Sequence, residues 1–332
     1  MTDSSTSKIF WSVAAGGAAA AIGFVMVKKS RGSSTTSTET KKKKKIADET
    51  WESHVKPDHG PLEEIRPGVL YRVEAPGCEY GPPTRNMVIY RPPSSFVDEQ
   101  KRLVIVNAIA VREDLLEEIL TLGEPHICVV PNHMHKCCAG VWQRRFPKMK
   151  VVCVGGNCPA NSRSLVEEIV DVDMTTAELA DQAEWKDYIT VKQIDGWGHF
   201  EDVIEVRLDK SNNKKAIILA DLLFTVPYDK DAGIFGRAIQ WLFDSYVEQP
   251  SCDNDSDEKQ LMIPKVSRVA RMFGIRDWKK AEAWYRNYAK DYGNDIFAIL
   301  VGHGPPVVEL DSKQGCTQAL EGVADQLVKP RW

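Results

Sequence analysis

Cysteine is scarce for a chain of 332 residues, and the eight present (Cys78, Cys128, Cys137, Cys138, Cys153, Cys158, Cys252 and Cys316) follow no regular spacing. That excludes a disulfide framework and indicates a reducing compartment. Net positive charge is missing from most of the chain. Residues 1–50 carry nine Lys and Arg against four Asp and Glu, whereas the remainder carries 34 against 43. An acidic body argues against nucleic acid as a partner. No internal repeat appears at a period of 20 to 50 residues, which excludes solenoids. With 43% hydrophobic residues and 43 basic against 47 acidic side chains, what is left is an ordinary globular composition, long enough for one large α/β domain or two modest ones.

The amino-terminal 50 residues stand apart. Ile9 to Val27 is 19 residues without a charge, which as a helix would span roughly 28 Å, the thickness of a bilayer core. Residues 1–29 therefore read as a single transmembrane anchor; a cleaved signal peptide, with the small-residue run Ala18 to Ala21, is the alternative. Lys28, Lys29, Arg31 and Lys41 to Lys45 crowd the carboxyl-terminal flank, which orients the body toward the cytosol. Whether the carrying membrane is the endoplasmic reticulum or the outer mitochondrial membrane is left open. Residues 30–50, rich in Ser, Thr and Lys, form a solvated basic linker.

Residues 51–332 predict one domain. β-branched runs predict strands at Val69–Glu74, Met87–Arg91, Leu103–Ala108, His126–Val130, Lys150–Val154, Ile189–Ile194, Val203–Leu208, Ala216–Ala220 and Ile296–Val301. Apolar residues three and four apart predict helices at Arg112–Leu122, Ala139–Phe146, Ser162–Val170, Ala232–Val247, Pro264–Phe273, Trp278–Tyr292 and Thr317–Leu327. Strand-rich halves, each followed by helices, suggest an α/β four-layer αββα sandwich with the helices outside two packed sheets.

Groups capable of metal chemistry gather at the ends of these strands. Pro131-Asn132-His133-Met134-His135-Lys136-Cys137-Cys138 follows the strand ending at Val130. Residues two apart leaving a strand can point the same way, so His133 and His135 could offer two imidazoles to one ion, with two thiols behind them. His199 lies in the turn Gly196-Trp197-Gly198-His199, Asp221 closes the strand Ala216–Ala220, and His303 lies in Gly302-His303-Gly304 after another apolar strand. Strand ends facing a cleft are where α/β proteins build sites.

This order and spacing resemble the metallo-β-lactamase-fold superfamily, whose first metal motif is HxHxDH after a strand, followed by a distant His, an Asp ending a later strand and a last His. The resemblance runs from about Pro67 to Pro306, and PNHMHK, AIILADLLF and DIFAILVGHG look like a branch of that superfamily with a short PN-x-x-H motif. It implies that His133, His135 and His199 bind a first metal, that Asp221 bridges two metals and orients the attacking water, and that His303 completes the second. The chain departs from the pattern at Cys137 and Cys138, where the family has Asp and His. Thiolates favour zinc, so a one-zinc site of three histidines and a two-zinc site recruiting Cys138, or Cys137 beside it, are both open.

The implied function is a membrane-anchored metallo-hydrolase acting on a small-molecule ester, thioester, lactone or phosphoester. The alternative is a catalytically degenerate protein of the same fold with a binding or scaffolding role at a membrane. A thiol-dependent role for Cys137 and Cys138 is a third reading. No protein partner is implied.

Overall fold

Strands that are apolar on both faces can only sit between two covered layers, and the middle of this chain supplies several. A computed structural model describes residues 49–332 except 56–57, 77–83, 94–100, 156–161, 199–200, 210, 228, 230, 232–236, 238–239, 242–245, 248–261, 310–314 and 329–332. The expected anchor, nearly all of the linker, and His199 therefore lie outside the described residues. Among the described residues, no helix is long and apolar enough to cross a membrane.

One sheet has seven strands in sequential order. They are β1 (Glu63–Arg66), β2 (Leu70–Pro76), β3 (Thr84–Tyr90), β4 (Arg102–Val106), β5 (Glu124–Val130), β6 (Lys150–Cys153) and β7 (Met174–Thr175). Pairing is antiparallel from β1 to β4 and parallel from β4 to β7. The second sheet uses β8 (Ile189–Lys192), β9 (Val203–Arg207), β10 (Lys215–Ile218), β13 (Ile296–Leu300) and β14 (Val307–Val308), in the order β14-β13-β10-β9-β8 with β10 and β13 parallel. Tyr246–Val247 (β12) pairs in parallel with Val226–Pro227 (β11), which corrects the predicted helix 232–247 at its end. There the partner backbone outweighs helical spacing, and Tyr and Val suit a strand.

Alternate residues of the strands show the layering. Val104, Val106, Ile127, Val129 and Val152 meet Ile204, Val206, Ala216, Ile218, Ala298 and Leu300 in the core between the sheets. The opposite faces, among them Leu103, Ile105, Cys128 and Val151, pack on Leu115, Leu116 and Ile119 of a helix at Glu113–Leu122, and on Val141 and Trp142 of another at Ala139–Arg145. On the far side Ile217, Ile296 and Ile299 pack on Ala281, Tyr285 and Ala289 of the helix Trp278–Tyr292, and on Ala319, Leu320 and Val323 of the helix Gly315–Val328. The order helix, sheet, sheet, helix is the expected αββα sandwich.

The described cysteines Cys128, Cys137, Cys138, Cys153 and Cys316 are all free, in keeping with a chain not built on disulfides. The carboxyl ends of β4, β5, β10 and β13, together with the amino end of β3, share one edge of the sandwich. Across that edge Asn86 N–H donates to Gly302 O at 2.8 Å, and the Asn86 side-chain amide donates to Val301 O at 2.8 Å. The two sheets are thus fastened together where the candidate residues emerge.

Candidate metal centre

Three groups from three strand ends converge at this edge. Asp221 follows β10, His303 follows β13, and His135 follows β5 by way of a single 3-10 turn, His133–His135. Their ligand-capable atoms all lie within 4.8 Å of one another. His135 Nε2 is 3.0 Å and His303 Nε2 3.1 Å from the same oxygen, Asp221 Oδ1. Both imidazoles are buried, while Asp221 keeps partial access to solvent, with 14% of its side chain exposed.

The other face of each ring is held by an oxygen that can only accept. His135 Nδ1 donates to Asn107 Oδ1 at 2.7 Å, and His303 Nδ1 donates to the Thr84 carbonyl at 2.5 Å. Asn107 has no choice of orientation, because its amide nitrogen is committed to Asn86 O at 2.5 Å. It reaches both partners from a left-handed backbone, φ 58°, which asparagine tolerates better than most residues. Both rings therefore carry a proton on Nδ1 and turn Nε2 toward Asp221. This is the arrangement by which outer partners orient metal-binding histidines.

The backbone around His303 is equally constrained. Gly304 has φ 91°, and a Cβ there would come within 2.5 Å of Thr225 C. A Cβ at Gly302 would lie 2.8 Å from Ala220 O. Glycine on both sides lets the loop press against the end of β10 and bring the imidazole over Asp221, with Phe224 stacked on the ring at 5.2 Å.

Behind Asp221 lies a second carboxylate that sequence reasoning missed. Glu201 is buried and receives hydrogen bonds from Ala220 N, from Asp221 N at 2.8 Å and from Asn132 Nδ2 at 2.9 Å. Asn132 Nδ2 also donates to Asp221 Oδ2 at 2.9 Å, while Asn132 Oδ1 caps the 3-10 turn by accepting from Met134 N at 2.8 Å. One asparagine thus delivers His135 and aims Asp221. Burial and the neighbouring Asp221 charge push Glu201 up to about 8, against the three N–H donors. Burial would also raise Asp221, but His135 and His303 hold it well below the usual carboxylate range. Burial lowers His135, opposed by Asp221.

The expected partners divide as follows. His135, Asp221 and His303 come together. His133 does not join their cluster: the segment is a 3-10 turn rather than an extended strand end, and at three residues per turn two positions two apart point in different directions. It sits half-buried at the rim, within electrostatic reach of Asp221. Cys137 is exposed, and Cys138 is buried against Arg85 and His54 rather than in the cluster. Asn86, Asn107, Asn132, Thr84 and Glu201 carried only weak signals in the sequence; the Pro-Asn pair that follows β5 was the most visible of them.

No protein-family model matches the chain, and no curated protein matches it. Solved structures do. The metallo-β-lactamase DIM-1 matches with a TM-score of 0.46 and 10% identity over 81% of this chain and 99% of its own. A metallo-β-lactamase from Hirschia baltica matches with a TM-score of 0.44 and 11% identity over 82% and 100%. The metallo-β-lactamase FIM-1 from Pseudomonas aeruginosa, in a mono-zinc form, matches with a TM-score of 0.43 and 11% identity over 82% and 99%. These three solved structures are metallo-β-lactamases.

Proposed function

We propose that the chain is a metal-dependent hydrolase in which His135, Asp221 and His303 hold the ion. The observation that carries this reading is the convergence of two imidazole Nε2 atoms on one carboxylate oxygen, with both Nδ1 protons fixed on the far side. Two imidazole nitrogens and a carboxylate oxygen within 4.8 Å of one another can share one divalent cation, and the nitrogen and oxygen donors suit zinc.

Such an ion would supply Lewis acidity, polarising a carbonyl or phosphoryl oxygen and acidifying a water. The chain's own part is positioning. Asn107 and the Thr84 carbonyl keep both rings in the ligand tautomer, while Asn132 and Glu201 fix the orientation of Asp221. Asp221, the one partly exposed member of the trio, is placed to orient a water or accept its proton. Substrates of the ester, thioester, lactone or phosphoester class fit this chemistry.

The deciding experiment is metal analysis of the full chain purified without a metal-affinity resin, beside a His135→Ala, His303→Ala double variant. About one zinc per chain, absent from the variant, is the expected result, and no bound metal in the wild-type chain would sink the proposal. Because burial lowers His135, zinc should be retained to a lower pH than an ordinary histidine site would allow, with release as acid protonates His135. The position of Cys138 outside the trio favours a second reading, a metal-binding protein without turnover. Bound zinc with no hydrolysis across a panel of all four substrate classes would select it.

The uncharged run Ile9 to Val27 and its basic flank support a membrane-anchored protein with a cytosolic body. On this proposal the Asn254-Asp255-Ser256 sequon stays unmodified. A glycan found there by mass spectrometry would place the body on the other side of the membrane.

A further inference from the structure

A second reactive group lies three residues beyond His135. Cys138 Sγ accepts a hydrogen bond from Arg85 Nη2 at 3.4 Å and faces His54 Nδ1 at 3.9 Å. The Ala110 N–H also points at the sulfur. On its other side the His54 ring meets a carboxylate, with Nε2 3.1 Å from Glu49 Oε2. These parts are far apart in sequence: His54 ends a short helix at Trp51–His54, Arg85 lies in β3, and Cys138 caps the helix Ala139–Arg145.

Acid, imidazole and thiol in this order make a relay in which the ring takes the thiol proton and the carboxylate steadies the resulting cation. Arg85 adds a permanent positive charge at the sulfur. Burial opposes the thiolate, but the imidazole, the guanidinium and the amide prevail and bring Cys138 down to about 7. The same contact with the sulfur raises His54. Three other buried thiols provide an internal comparison, since burial pushes Cys128 and Cys316 up to about 12 and Cys153 to about 11. Burial alone therefore does not make a reactive cysteine here; the donor set does.

We infer that Cys138 is a peroxide-reactive thiol activated by His54 and Arg85, a site separate from the metal chemistry proposed above and not dependent on it. The thiolate attacks one oxygen of hydrogen peroxide, an S–O bond forms, and the O–O bond breaks. The leaving hydroxide takes the His54 proton and departs as water. Sulfur is oxidised by two electrons to the sulfenic acid and peroxide is reduced. Only 5% of Cys138 is exposed, which suits a small oxidant.

The test is to treat the full chain at pH 7 with hydrogen peroxide, trap sulfenic acid with dimedone and map the adduct by mass spectrometry. Cys138 should be labelled ahead of the exposed Cys137. His54→Ala should slow its labelling on the order of tenfold, because an ordinary thiol is only about 3% thiolate at that pH. Glu49→Gln, at a side chain away from the core, should slow it severalfold and keeps the test valid if the histidine variant is poorly folded. In the unmodified chain, alkylation of Cys138 by iodoacetamide should reach half its maximal rate near pH 7. Labelling confined to Cys137, equal rates in the wild type and both variants, or an alkylation midpoint above pH 8.5 would each overturn the inference.

Discussion

Replacing Asp221 by alanine should remove the bound ion and lower hydrolysis on the order of a thousandfold, equivalent to about 4 kcal/mol of transition-state stabilisation. Asp221 Oδ1 is the point on which both imidazoles converge, so its loss leaves the trio with two imidazoles and no anionic ligand. The variant should nevertheless fold. Asp221 lies beyond the end of β10 with part of its side chain exposed, so the strand and the core beneath it are untouched, and Asn132 keeps its hydrogen bond to Glu201. Metal-free wild type and variant should therefore melt within a few degrees of each other, while metal content and turnover separate them completely. Turnover and zinc retained in Asp221→Ala would refute the trio as the working site.

Trp142→Ala should bring the largest loss of stability, about 3–5 kcal/mol, seen as a fall of roughly 10 °C in the melting temperature of a domain of this size. Trp142 is completely buried, its ring meets Trp51 edge-on at 5.2 Å and Phe146 at 5.4 Å, and its Nε1 donates to Ile109 O at 2.9 Å. Truncation leaves a large void and an unpaired buried carbonyl together, and neither can be filled from the rigid sheet beneath. A natural control is Trp241→Ala. Trp241 is 60% exposed with the Arg268 guanidinium over its ring at 4.5 Å, and its loss should cost no more than about 1 kcal/mol. Comparable effects at the two positions would contradict the layered core.

Much of the architecture was legible because apolar pattern and strand position are local properties. The two-faced runs around Val104, Ile127 and Val151 announced covered strands, and the predicted starts at Lys150, Ile189 and Val203 coincide with those of β6, β8 and β9. The helix Trp278–Tyr292 spans the residues its spacing predicted. Short pairings such as β7, β11 and β14 were not legible, because two residues carry no periodicity and pair only when a neighbour is already in place.

The site divides along the same line. By itself the sequence determined which strand ends carry histidine, aspartate and cysteine, and hence that His133, His135, His199, Asp221, His303, Cys137 and Cys138 were candidates. Only the tertiary structure brought His135, and not His133, beside Asp221 and His303, since one 3-10 turn changes the direction of each side chain. It alone brought Asn86 and Asn107 behind His135, Glu201 behind Asp221, and His54 to a sulfur 84 residues away. Those contacts cross between elements, and their geometry is set by how two twisted sheets and their helices close on one another, a property of the packed whole that no local run of residues encodes.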